Sequence, residues 1–311
     1  MDSPGDRAIA RLAGLIDAAG GAPPSYPAVA TTTWTYDAAL DILAMLGAGD
    51  LERALIVGAV LLDLQEPDGR FRNAYRSGRP VDAGTATGNQ AWAGIALARL
   101  GAVSGASRYR FAAESAGEWI AETQLSRLGY TGGIDAAGSA FGWKATEHNA
   151  DAFALFRSLG WRQLADSAEA FVASMFTGGH FVTGTTGDGV TANPRPVPLD
   201  AQAWPALAVG RRYASALAWA RAELSVDGGV SFSDADTSAV WFEGTAQLAL
   251  AAGDEPLLER VWAAQLPDGG IPVASRAGLA TGFGETLGDA EHTAATAWAI
   301  LAATKTNPLS A

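Results

Sequence analysis

The chain has 311 residues, 49% of them hydrophobic and 17% charged, with a net charge of −12 and no cysteine. Such a composition buries a large core and is not that of a disordered chain, and its negative surface repels phosphate backbones, so nucleic acid is not an expected partner. Without cysteine there is no disulfide, thiolate zinc site, iron–sulfur cluster or cysteine nucleophile.

The N-terminus has no basic start followed by an apolar run, so no secretory signal is expected. A run of about 18 uninterrupted apolar residues is absent, so no membrane span is expected and a cytoplasmic location is the default. An amphipathic segment at Asp6–Ala18 is followed by an almost uncharged one that starts at Tyr36. The same alternation then repeats along the chain. Amphipathic stretches at Asp50–Gln65, Ser107–Gln124, Trp161–Phe176, Arg211–Leu224 and Glu255–Gln265 are each followed by Ala-rich segments starting at Thr87, Glu147, Leu199, Trp241 and Glu291. The charged stretches carry their polar residues at helical spacing and predict solvent-facing helices. The uncharged ones predict helices buried all round.

The buried set is a repeat. Gln90-Ala91-Trp92 returns as Gln202-Ala203-Trp204, and Phe153, Gln247 and Trp298 fill the slot of the tryptophans. The interval is roughly 50 residues, enough for two helices and their loops. Glycine turns close the outer helices, as at Pro67-Asp68-Gly69 and Pro267-Asp268-Gly269. Short strand pairs are expected near Phe181–Thr183 and Val230–Phe232. Six outer and six inner helices in strict alternation predict an all-α fold, an (α/α)6 toroid formed as one domain over residues 1–311.

In such a barrel the inner helices run in one direction, so their N-termini share a mouth. Free N–H groups and the positive dipole end favour polar and anionic partners there. The starts supply Trp34, Tyr36 and Asp37; Asn89 and Gln90; Trp143, Lys144, Glu147, His148, Asn149 and Asp151; Asp200 and Gln202; Trp241 and Glu243; and Glu291 and His292. Any single acid among Glu147, Asp200 and Glu291 also reads as a helix cap. Glu243 and Asp37 lie deeper, where a carboxylate without a purpose is costly. Acids converging from several helices beside tryptophans suit a sugar, which offers flat C–H faces and many hydroxyls. Cleaving a glycosidic bond takes two carboxyl groups, one acid and one base or nucleophile. Glu243, Glu147, Asp200 and Asp37 are the candidate catalysts. Trp34, Trp143 and Trp241 are candidate platforms, with Tyr36, Gln90, Lys144, His148, Asn149, Asp151, Gln202 and His292 as candidate substrate contacts.

The segments Ala145-Thr146-Glu147-His148-Asn149-Ala150-Asp151, Leu199-Asp200-Ala201-Gln202, Trp241-Phe242-Glu243 and His292-Thr293 resemble the six-hairpin glycosidase-like proteins of bacteria. That resemblance implies an (α/α)6 barrel acting on glycans, with Glu147, Asp200 and Glu243 as the acids carried over. The expected reaction is hydrolysis of a neutral oligosaccharide or glycoside, a small-molecule or oligosaccharide partner, without a cofactor or metal, because no HxxxH or HxH spacing is present.

Two other enzyme classes remain open on the sequence. Asp234-Ala235-Asp236-Thr237-Ser238-Ala239 partly resembles the acid motif of class II terpene cyclases, which would make Asp236, with Asp234, the acid that protonates an alkene. The same two residues also read as a polar turn. A polysaccharide lyase would use His148 or Tyr36 as base.

Overall fold

The structure is a computed structural model that describes residues 2–310. Twelve α-helices carry it. The outer ones are α1 (Pro4–Ala19), α3 (Leu51–Leu64), α5 (Ser107–Thr123), α7 (Arg162–Ser174), α9 (Ala214–Glu223) and α11 (Glu255–Trp262). The inner ones are α2 (Thr35–Gly47), α4 (Thr87–Ser104), α6 (Thr146–Leu159), α8 (Asp200–Ala208), α10 (Phe242–Ala252) and α12 (Thr293–Ala303). Each inner helix packs on the next, α2 on α4, then α6, α8, α10 and α12, and α12 closes back on α2. The fold is the expected all-α toroid. The connections between the helices carry short strands of two to four residues, such as the hairpins of Phe176–Thr177 with His180–Phe181 and Ser225–Val226 with Gly229–Val230. Both hairpins sit slightly earlier than their expected positions, because tight glycine turns at Gly178-Gly179 and Gly228 begin pairing at once.

One repeated device sets the register. An N–H at the start of every inner helix, its first residue or for α8 the residue just before it, donates to a carbonyl in the loop that feeds the next inner helix. Thr35 donates to Asn73, Thr87 to Gly132, Thr146 to Thr183, Leu199 to Phe232, Phe242 to Val273, and Thr293 closes the circle on Ser25, all at 2.9–3.0 Å. These bonds occupy helix-terminal donors that would otherwise lack partners. Three residues further on, a polar side chain reaches back to the backbone of its own preceding loop. Gln90 binds Phe71 N and Gly69 O, Asn149 binds both backbone groups of Tyr130, and Gln202 binds both of Phe181. Thr245 and Thr296 take the same place with hydroxyls that accept from Val230 and Ile271.

Gln90, Asn149 and Gln202 are therefore not substrate contacts, contrary to the sequence expectation. A buried amide needs partners for both its donor and acceptor, and the loop backbone supplies them. Two residues after this clamp comes the innermost row, Trp92, Asp151, Trp204, Gln247 and Trp298. The register shows that Asp151, not Phe153, is the α6 member of the repeat. Trp92, Trp204 and Trp298 meet at the centre with Tyr36, at ring-centroid distances of 5.2–6.4 Å, and plug the barrel. No described helix is long and apolar enough to cross a membrane.

Candidate active site

Aligning the inner helices on that first donor places Tyr36, Gly88, Glu147, Asp200, Glu243 and Ala294 in one row. The three acids carried by the sequence reading thus occupy the same position on three consecutive inner helices, α6, α8 and α10. They line a cavity of about 640 Å³ above the aromatic plug, together with Asp37, His148, Asp151, Trp241 and His292. Trp34, Glu285 and Thr286 form its rim, and Tyr36, Trp92 and Trp204 its floor.

On one side, charged and polar partners hold the carboxylates. Glu243 Oε1 accepts from Tyr36 OH at 2.7 Å and from Gln247 Nε2 at 3.2 Å. Tyr36 in turn accepts from the Trp298 indole at 2.8 Å. His292 stands between two acids, with Nε2 3.4 Å from Asp37 Oδ2 and Nδ1 3.5 Å from Glu243 Oε2, and its ring stacks on Tyr26 at 4.6 Å. Burial alone would lower the pKa of His292, but Asp37 and Glu243 overcome it and hold the imidazole well above its ordinary value. Burial and the neighbouring Glu243 push the Tyr36 phenol well up, so it acts as a donor rather than a base.

On the other side the acids lack partners. Glu147 Oε2, His148 Nδ1 and both oxygens of Asp151 are buried with no hydrogen bond. Burial and the nearby Asp200 raise Glu147 well above the carboxylate range, and Asp151 rises for the same reasons, burial first and then Glu147 and Asp200. Burial brings Asp200 to about 7, although the Ala201 N–H donates to it at 2.7 Å. Burial lowers His148 to about 4, which leaves it neutral. His148 and Asp151 fit beside α4 because residue 88 is glycine. A Cβ there would lie 2.5 Å from His148 Cδ2 and 3.3 Å from Asp151 Oδ2.

Trp34 and Trp241 line the main cavity, and Trp143 and Lys144 line an adjoining one. The Lys144 ammonium, however, donates to the Leu128 carbonyl at 2.7 Å. Glu291 is not a site residue, for it forms a two-point pair with Arg11 at 2.7 and 2.6 Å.

The terpene-cyclase reading fails on geometry. Asp236 accepts from Ser238 N and Ala280 N, and Asp234 accepts from Val197 N and pairs with Arg195. Both belong to the polar turn and neither lines the cavity. The raised Tyr36 phenol opposes a lyase that would use it as base. Among the described residues no group of three or more His, Asp or Glu is placed to hold a metal ion.

Sequence reasoning missed Tyr26, Asp41, Gln247, Trp298, Phe232 and Glu285. Gln247 and Trp298 stood in the repeat itself as anchors of the buried row. Asp41 follows Asp37 by one helical turn in an otherwise apolar helix, a spacing that puts both on one face.

No family model matches the sequence, and no curated protein matches it significantly. Solved structures do. A glycosidase variant in complex with glucose is similar at a TM-score of 0.73 and 16% identity, covering 100% of both chains. A novel alpha-amylase from Clostridium perfringens gives 0.75 at 13% identity over 96% of this chain and 98% of its own. A D-mannose isomerase gives 0.72 at 14% identity over 97% and 96%. At such identities the likeness establishes the fold alone, the (α/α)6 toroid.

Proposed function

We propose that the protein is a carbohydrate-active enzyme, a glycoside hydrolase acting on a neutral glycoside or short oligosaccharide. The observation that supports this reading is the division of one cavity's acids into two environments. Burial and Asp200 keep the Glu147 proton near neutral pH, and burial with the charge of Glu243 brings Asp200 to about 7, as a general acid requires. Glu243 accepts two hydrogen bonds beside a protonated His292, as a carboxylate base or nucleophile requires. The acid pair donates a proton to the glycosidic oxygen as the C–O bond breaks. Glu243 takes up the other role, on water or on the anomeric carbon, and the net reaction adds one water across the bond. Asp37, fixed by His292, faces the same cavity and binds hydroxyls. Trp241 and Trp34 offer apolar faces to the ring.

The test is release of free sugar from a panel of α- and β-linked glycosides. Wild type is expected to turn over at least one. Glu243→Gln and Glu147→Gln are each expected to lose about 10²–10⁴-fold in kcat. Full activity in both variants overturns the assignment.

A second reading, interconversion of an aldose and a ketose, draws on His148, a neutral imidazole that faces the cavity and can take the C2 proton of a bound sugar. The mannose isomerase among the similar folds adds to it. Exchange of the C2 hydrogen of a free sugar in D2O, without release of a second sugar, would favour it over hydrolysis.

A further inference from the structure

The acids Glu147 and Asp200 do not sit in the middle of the main cavity. Together with His148 they line both that cavity and an adjoining one of about 610 Å³. The second space is built differently. Its wall is Trp143, Thr183, Thr185, Asn193 and Phe283, drawn from the hairpin loops rather than from the inner helices. Trp143 is set rigidly, stacked on Phe141 at 5.3 Å and packed against Gly132, where a Cβ would lie 2.4 Å from the indole. Phe283 is half exposed at the tip of the turn between Leu279–Ala280 and Thr286–Leu287. The first space is closed below by the aromatic plug, so a chain cannot pass through it.

We propose that the site is bipartite: the deep lobe over Tyr36, Trp92 and Trp204 holds one terminal sugar ring, the outer lobe holds the leaving ring on Trp143, and cleavage falls between them at Glu147 and Asp200. The substrate class is a neutral disaccharide or short oligosaccharide, shortened one residue at a time from its closed end. Trp143 meets the C–H face of the leaving ring, and Thr183, Thr185 and Asn193 meet its hydroxyls. The ring is neutral because, among the described residues, the lobe has no uncommitted cation to pair with an anion. Its one lysine donates to Leu128, and Glu147, Asp200 and Glu285 stand on the wall. The inference rests on the hydrolase reading and sharpens it.

Crystals of Glu147→Gln soaked with a panel of α- and β-linked neutral disaccharides test it. The expected result is one ring in each lobe with the linkage beside residue 147 and Asp200. A ring in the deep lobe alone overturns the inference and leaves the hydrolase reading standing. Sugar in neither lobe overturns both. Kinetics give an independent measure through glycosyl fluorides, whose leaving group needs no outer lobe. In Trp143→Ala the ratio of kcat/KM for a disaccharide to that for the matching fluoride is expected to fall at least tenfold, with Trp143→Phe restoring most of it. An unchanged ratio in Trp143→Ala overturns the proposal.

Discussion

The two sides of the cavity hold the same kinds of residue and treat them in opposite ways. His292 and His148 are both buried, yet the first is held protonated by the carboxylates of Asp37 and Glu243 on either side of it, while burial leaves the second neutral. Glu243 has a tyrosine and a glutamine donating to it, whereas Glu147 has an orphaned oxygen and another acid for a neighbour. Partners, not residue type, set the surroundings of each carboxyl. A ring of equivalent helix starts can therefore supply both halves of an acid–base pair.

Substitution by leaving group breaks or sharpens this contrast most strongly. Glu147→Gln or Asp200→Asn is expected to lose about 10²–10⁴-fold on a sugar leaving group but far less on a glycoside with an acidic phenol, which departs without a proton. Glu243→Gln is expected to lose activity on both. Equal losses for all three variants, measured as kcat/KM on the two substrates, would dissolve the distinction between the sides.

The pH profile gives the next largest effect. Asp200 titrates at about 7, so activity that needs its proton is expected to fall roughly tenfold per unit at higher pH. In Asp200→Asn that limb should move or vanish. Removing the Tyr36 hydroxyl with Tyr36→Phe leaves Glu243 one donor short. The expected loss is about tenfold in kcat, with the deep-lobe ring still bound.

Stability should follow pH as well. Glu147, Asp151, Asp200 and Asp41 have folded pKa values above their unfolded ones, so each weakens the fold as pH rises from the carboxylate range toward its folded value. The contribution of His292, raised, is complete below its unfolded pKa and is lost as pH rises through the folded one. His148, lowered to about 4, acts in the opposite sense between about 4 and its ordinary 6.5. Five groups against one give a higher Tm at pH 5.5 than at pH 8. Asp41 isolates one of the five. Both its oxygens are buried without partners, and burial followed by the charge of Asp37 raises it well above the carboxylate range. Asp41→Asn is expected to flatten the pH dependence, and a steeper one would contradict this account. The smallest effect belongs to Asp236→Asn, expected to leave activity within about twofold because that side chain only caps a turn.

Architecture was legible from the sequence because an uncharged helix can only be interior, and the return of Gln-Ala-Trp fixed the period. Within the site, acids on the first turns of the inner helices were legible for the same reason. What stayed hidden was direction. Gln90, Asn149 and Gln202 sit one turn from the mouth, where side chains aimed at substrate and side chains aimed at the loop have the same composition. The phase of the repeat on α6 was also hidden, since Phe153 matches the tryptophans in character while Asp151 matches them in position. The split of acids into partnered and orphaned depends on residues as distant as Tyr36 and Glu243, or Asp37 and His292, which periodicity does not connect.

The closure from Thr293 to Ser25 also bears on biosynthesis. His292, which caps α12, and Trp298 within it order the Glu243 side, and that helix is what joins α10 to α2. A growing chain can form the earlier hairpins one after another, yet it lacks the residue that sets Glu243 against Glu147 until α12 has emerged. A chain truncated before α12 would carry the orphaned acids without their counterpart.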